Sequence, residues 1–371
     1  DTGAAVVAEM RAKLEKSARG MEAPFRCLES VANTLTMSFA DGWAREAEIS
    51  AEAVASVESR SLVHAFFAER QVSKIPDIPA DTPRRSIERT AIVGAGTMGG
   101  GIAMSFANAG MPVTLIDSGK SALDRGIARI RDNYAATRDR GRLSAEDMDA
   151  RMGLITGAVG IAAVADADLI IEAVFEEMDI KQSIFRELDG LARDGAILAT
   201  NTSTLDVDAI AAVTGRPGDV LGLHFFSPAN VMTLLEIVRA EKTEKDVIAT
   251  VLDLAGRIGK TGVVVGVSDG FVGNRMLAPY FRQCDFLVEE GALPQDVDRV
   301  IEEFGFRMGP FRVSDMAGRS RSAGPRRGPQ TNGFRPCWNG FARRADSGRK
   351  PGRAGIATRG VLRYPILRSR C

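Results

Sequence analysis

Hydrophobic and polar positions change their rhythm near residue 87 of this chain. Upstream, residues 4–18, 44–57 and 59–71 place apolar side chains at helical spacing among charges, which predicts amphipathic helices. Residues 73–83 hold three prolines and read as a stiff linker. Downstream, short apolar runs recur between longer amphipathic stretches. The runs predict strands at 88–93, 112–117, 153–156, 168–173, 196–200, 220–224, 234–238 and 262–267, with a helix over 101–109. Further helices are expected at 269–288 and 294–304. Such alternation predicts an α/β fold, a doubly wound sheet of the Rossmann type over 87–267, preceded by helices in 1–86 and followed by more helices.

The first two of those strands bracket Gly94-Ala-Gly-Thr-Met-Gly99, and the second ends in Asp117. Strand, glycine loop, helix, strand and acid is the order a dinucleotide fold requires. Gly94 permits the tight turn, Gly96 lets the backbone approach a pyrophosphate, and Gly99 lets helix and strand pack closely. The pyrophosphate is expected at the helix N-terminus, where unpaired N–H groups and the dipole favour an anion, with Thr97 and Met98 among the cofactor-binding residues. A carboxylate at Asp117 accepts both ribose hydroxyls and repels a 2′-phosphate, so NAD is expected rather than NADP.

Chemistry-bearing residues gather at predicted strand ends, where ligands bind in doubly wound sheets. Glu172, Asn201, Ser203 and His224 all fall there. His224 is one of two histidines and ends an apolar run, with Glu236 on the next. Histidine is the natural proton acceptor near neutral pH. A nucleotide site, a lone histidine and an orienting carboxylate together suggest hydride chemistry on an alcohol. His64, the other histidine, sits on a predicted amphipathic helix and reads as structural.

Five ordered motifs carry a family resemblance: 94–117, Ile171-Glu-Ala-Val-Phe-Glu176, Asn201-Thr-Ser-Thr-Leu205, 224–236 and Gly270-Phe-Val-Gly-Asn-Arg275. From about Ile87 to Gly318 the chain resembles L-3-hydroxyacyl-CoA dehydrogenases, the NAD-linked oxidation step of fatty-acid β-oxidation. The resemblance implies that His224 is the general base and Glu236 the carboxylate that orients it. It implies that Ser203 and Asn274 position the reacting oxygen, and that Glu176, Lys181 and Asn201 line the cofactor. The substrate implied is an acyl-CoA and the products are 3-ketoacyl-CoA and NADH. Gly262 departs from the family, which often has proline there; little effect is expected. Residues 58–70 and Lys74-Ile-Pro76 resemble the junction of multifunctional β-oxidation enzymes, where a hydratase/isomerase domain precedes the dehydrogenase. On that reading 1–86 are the last helices of such a domain, hydratase activity is not expected, and 268–318 are a truncated all-α domain. A short hydroxy-acid dehydrogenase and an NAD-binding fragment without turnover stand as alternatives.

Zero net charge conceals an asymmetry. Residues 319–371 hold 14 Lys and Arg against one acid, Asp346, so the remainder is strongly acidic. Two readings fit this tail: a basic arm that binds phosphates, or an out-of-frame translation of a GC-rich gene. The break falls inside a family motif, which favours the second, so nucleic acid is not expected as a partner. A homo-oligomer is compatible with the family, but its interface is expected to be incomplete here. No run of about 18 apolar residues suggests a membrane span. Cys27, Cys284, Cys337 and Cys371 have neither metal-site nor disulfide spacing and fit a reducing compartment. The chain ends Ser369-Arg-Cys371 rather than in a peroxisomal Ser-Lys-Leu address, and a cytoplasmic location is expected. No metal is expected.

Overall fold

The structure is a computed structural model that describes residues 2–18 and 20–316; the basic tail and the readings attached to it lie outside the described residues. The chain begins with four helices, α1 (Thr2–Ser17), α2 (Ala23–Asn33), α3 (Phe39–Ala55) and α4 (Val57–Gln71). Ser38 and Ser56 cap α3 and α4 by accepting the backbone N–H of Asp41 and of Ser59. The sequence reading passes over α2, whose Pro24 lies in the first turn, where proline costs a helix nothing.

The linker is tied to the sheet-bearing region by charge. Arg85 bonds Asp219 at 2.6 Å and Asp246 at 2.8 Å, and Arg239 reaches back to Asp77 at 2.8 Å. Then come β1 (Thr90–Val93), α5 (Thr97–Asn108), β2 (Val113–Asp117), α6 (Lys120–Asp139), α7 (Ala145–Gly153), β3 (Ile155–Val159), β4 (Leu169–Glu172), α8 (Met178–Leu191), β5 (Ile197–Thr200), α9 (Val207–Ala211), β6 (Val220–Phe225), β7 (Leu234–Arg239), α10 (Lys245–Arg257) and β8 (Thr261–Gly266). The described residues end with α11 (Gly273–Glu289), α12 (Pro294–Phe304) and α13 (Pro310–Met316).

The eight strands form one sheet in the order β3-β2-β1-β4-β5-β6-β7-β8, parallel throughout except for β6 against β7. Alternate residues of each strand feed two apolar layers. Ile92, Leu115, Ile171 and Leu223 pack under Ile102, Phe106, Ile130 and Val251 of α5, α6 and α10. Ala91, Val93, Ile170 and Leu198 pack against Phe185, Leu188 and Ile210 of α8 and α9. Cover on both faces buries the inner strands β1, β4, β5 and β6 completely, which is why they read as unbroken apolar runs. The order reverses at β1, so a crevice opens between the carboxyl ends of β1 and β4.

Several expected boundaries shift: the helix expected at 44–57 is Phe39–Ala55, the one expected at 269–288 starts at Gly273, and two further shifts bear on the sheet. Strand β3 starts at Ile155 rather than at 153, because Ser144 caps α7 and the helix continues through Gly153. Helix α5 starts at Thr97 rather than at 101, since the glycines after the loop lie within the helix and are buried there.

Contacts divide the described residues into two units, 2–282 with 302–307 and 283–301 with 308–316. In the second, buried Asp298 accepts the N–H groups of Phe311 and Arg312 and so caps α13.

Candidate active site

At the crevice the chain leaves β1 through Gly94, whose φ of 109° is left-handed and whose added Cβ would lie 2.7 Å from the Ala173 carbonyl oxygen. A Cβ on Gly99 would come within 1.8 Å of the Gly94 oxygen, so helix and turn pack too tightly for any side chain. A Cβ on Gly96 would meet nothing within 4 Å. That open space lies over the first turn of α5, where Thr97 and Met98 stand and N–H groups are unpaired. Asp117 accepts the Ala95 N–H at 3.0 Å, which fixes its carboxylate beside the loop. The set fits a dinucleotide: a bare-backbone cradle for diphosphate and an acid alongside for a ribose.

The ends of β4 and β5 carry a charged cluster. Glu172 and Lys181 are fully buried, and the Lys181 amine lies 2.8 and 2.9 Å from the two Glu172 oxygens. Glu172 also accepts the Val174 N–H and the Thr200 hydroxyl, each at 2.7 Å. Every polar atom of the pair is thus satisfied, which a buried ion pair needs in order not to destabilise the fold. Lys181 then reaches Glu176 at 3.5 Å. Glu176 accepts the Thr202 hydroxyl at 2.7 Å and, from Ser203, the N–H at 2.6 Å and the hydroxyl at 3.0 Å. Partial burial pushes the Glu176 carboxyl up, but the Ser203 N–H, the Thr202 hydroxyl and Lys181 outweigh it and hold it below the ordinary range.

The third group comes from the antiparallel turn-back. His224 on β6 and Glu236 on β7 are register partners, so their side chains project from the same side of the sheet. The His224 Nδ1 lies 2.6 Å from the Glu236 Oε2, with both residues buried. The other Glu236 oxygen accepts the N–H groups of Val272 (3.0 Å) and Gly273 (2.8 Å). Burial alone would raise the Glu236 carboxyl; the bonds from His224, Gly273 and Val272 bring it below its ordinary value. An ionised carboxylate there assigns the proton to Nδ1 and leaves Nε2 with a lone pair. Asn201 accepts the Phe225 N–H at 3.0 Å, and Asn274, in the first turn of α11, bonds the Ser203 carbonyl at 3.5 Å. His224, Glu236, Asn201, Ser203 and Asn274 therefore belong to one linked constellation, with Glu176 and Lys181 behind the Ser203 turn. His64 lies on α4, far along the chain from this group.

Sequence reasoning missed two residues that shape the site. Phe271 is buried with φ 49°, a left-handed conformation that costs a bulky residue about 1–2 kcal/mol. With Gly270 (φ 70°) it bends the chain so that the Val272 and Gly273 N–H groups meet Glu236. The neighbouring glycine was the available signal. Phe226 packs against the imidazole with ring centroids 4.4 Å apart and planes tilted by 47°, a packing relation that spacing alone does not reveal.

Comparison with known proteins bears on these features. Residues 89–268 match the family described as 3-hydroxyacyl-CoA dehydrogenase, NAD binding domain, and residues 270–356 its C-terminal domain. The second match runs past Gly318, where the sequence reading sets its break. The peroxisomal bifunctional enzyme of Danio rerio is 42% identical over 311 residues, 82% of this chain and 42% of its own length. That of Homo sapiens is 41% identical over 84% of this chain and 44% of its own. The chain thus spans less than half the length of these curated relatives. Among solved structures, FadB2 of M. tuberculosis is 37% identical, with a TM-score of 0.61 over 63% of this chain and 83% of that one. The (S)-3-hydroxybutyryl-CoA dehydrogenase PaaH1 of Ralstonia eutropha is 33% identical, with a TM-score of 0.59 over 62% and 83%.

Proposed function

Because this chain belongs to the 3-hydroxyacyl-CoA dehydrogenase family of NAD-dependent oxidoreductases, we propose that it oxidises the 3-hydroxyl of an L-3-hydroxyacyl-CoA in fatty-acid β-oxidation. The observation that carries this reading is the buried 2.6 Å contact between His224 and Glu236 at the carboxyl end of the sheet. Glu236, held ionised and fixed by two backbone N–H groups, keeps the imidazole in the tautomer whose Nε2 is free to accept a proton. The substrate hydroxyl gives its proton to that nitrogen, and Glu236 then stabilises the imidazolium. A positioned base of this kind contributes roughly 10²–10⁴-fold. Ser203 and Asn274 hold the substrate oxygen and stabilise the charge that develops on it.

Gly94, Gly96, Thr97, Met98 and Gly99 would hold the cofactor's diphosphate and Asp117 its adenosine ribose. Glu176 and Asn201 would line its nicotinamide side. Lys181 acts on that side from behind, since its amine is buried against Glu172. When bound, NAD supplies the acceptor for the hydride that leaves the substrate carbon. Phe226 and Phe271 flank the imidazole and keep water from the proton route. Among the described residues no helix is long and apolar enough to cross a membrane. The relatives carry peroxisomal and glyoxysomal names, which lends no support to the cytoplasmic expectation.

The test is NADH formation from L-3-hydroxybutyryl-CoA and a longer homologue, with His224→Gln as control. Turnover abolished by the substitution upholds the reading. NADH binding without turnover on any 3-hydroxyacyl-CoA overturns it in favour of a cofactor-binding chain alone.

A further inference from the structure

The loop 226–233 carries the chain from the His224 strand back to the Glu236 strand. We propose that Lys260 is a positioning residue for His224 and acts by clamping this loop; the proposal rests on the dehydrogenase reading above. Lys260 stands just before β8 and is half-buried. Its amine donates to the Ala229 carbonyl at 2.7 Å and to the Met232 carbonyl at 2.8 Å. Burial alone lowers the affinity of this amine for its proton, with no carboxylate acting on it in the opposite sense. Two peptide oxygens of one loop therefore take the place of its water.

The same Ala229 oxygen accepts the Ser105 hydroxyl, at 3.1 Å, from α5. A Cβ on Gly101 of that helix would lie 3.1 Å from the Ala229 methyl. The loop is thus held at one carbonyl both by the helix that opens at the glycine turn and by Lys260. What the grip controls lies at the start of the loop. Phe226 forms one wall of the imidazole, and its ring edge would be 2.7 Å from a Cβ on Gly273, the residue whose N–H holds Glu236. A shift of the loop moves that wall and with it the aim of Nε2. Misplacement of a reacting group by about 1 Å can cost about 100-fold in rate. The Lys260 amine bonds neither His224 nor Glu236 and reaches them through the carbonyls of the loop.

Lys260→Met keeps most of the stem and removes the donors, whereas Lys260→Arg restores donors and charge. In the full chain, Lys260→Met is expected to lower kcat about tenfold through misalignment. NADH affinity, followed by fluorescence, should stay within about twofold, because α5 keeps its own packing. Lys260→Arg should recover most of the kcat. A purely structural lysine would lower Tm and leave the kcat of the folded enzyme alone. A folded Lys260→Met within about twofold of the parent kcat overturns the proposal.

If Lys260→Met does not fold, Ser105→Ala removes the other donor to Ala229. A loss of about threefold in kcat is then expected for one hydrogen bond, and an unchanged kcat overturns the proposal. If the parent protein binds NADH but never turns over, the dehydrogenase reading fails on its own. The clamp is then judged by NMR of isotope-labelled histidine, which is simple with two histidines in the chain. Lys260→Met should shift the His224 ring signals and leave those of His64 in place. An unshifted His224 overturns the clamp.

Discussion

The glycine turn proposed to cradle the nucleotide and the His224–Glu236 pair proposed to move the proton belong to one sheet and are built on opposite principles. The cradle owes its shape to side chains that are missing: Gly94, Gly96 and Gly99 leave backbone and space, and α5 supplies N–H groups. The pair owes its chemistry to two ionisable side chains that must be present, buried and in register across an antiparallel turn. Backbone recognition fails by steric intrusion and shows itself in binding. Side-chain chemistry fails by loss of a functional group and shows itself in turnover. Substitutions in the two regions should therefore separate affinity from rate.

The largest separation is expected at His224. His224→Gln removes the proton acceptor and should lower kcat by roughly 10²–10⁴-fold, while NADH titration gives the parent affinity. A matching loss of NADH affinity would merge the two regions and break the comparison. Next comes Gly99→Ala, whose Cβ would lie 1.8 Å from the Gly94 oxygen and cannot be accommodated without moving the turn. An intrusion of this kind costs about 1–3 kcal/mol. Thermal unfolding should show that loss together with weaker NADH binding, and an unchanged protein on both counts would refute the packing argument. Smaller again is Asp117→Ala. Removing the carboxylate should weaken NADH by about tenfold, as for a lost charged hydrogen bond, and narrow its preference over NADPH. Direct titration of both nucleotides decides it, and an unchanged ratio would release Asp117 from the ribose.

The same contrast explains what was legible in the sequence. A glycine cradle is a matter of spacing, so the loop, its helix and the acid at Asp117 could be read from residue order. The strands covered on both faces could be read as apolar runs for the same kind of reason. The site residues proposed from motifs, His224, Glu236, Ser203, Asn201 and Asn274, could be named, and the structure links them. Their support could not be named. Phe271 adopts its left-handed turn because Glu236 and the tight Gly270 bend over-determine it, and nothing in its own identity announces that. Lys181 could be singled out from its motif but not as a fully buried partner of Glu172, because burial is decided by the packing of α8 on the sheet. The start of α5 was misplaced because glycine normally argues against a helix; close packing overrides that propensity at Gly99.

The smallest prediction concerns pH and sharpens the account of Glu236. Its carboxyl is held below the ordinary value, so ionised Glu236 favours the folded state. That contribution is fully present above the unfolded carboxylate value, near 4.5, and is lost as pH falls through the lower folded value. Asp246, Asp168 and Glu176 are also held low, so the parent protein should lose stability in acid from several sites at once. Comparison with Glu236→Gln isolates one of them. At neutral pH the variant should be the less stable, because the His224 ring and the Val272 and Gly273 N–H groups lose a charged acceptor. As pH falls from about 4.5 towards the lower folded value, the same group protonates first in the unfolded and then in the folded parent, and the gap between the two should narrow. Denaturant unfolding of both proteins across that range measures the gap directly. A gap that stays constant with pH would mean that Glu236 holds His224 by shape rather than by charge, and the tautomer argument for Nε2 would lose its basis.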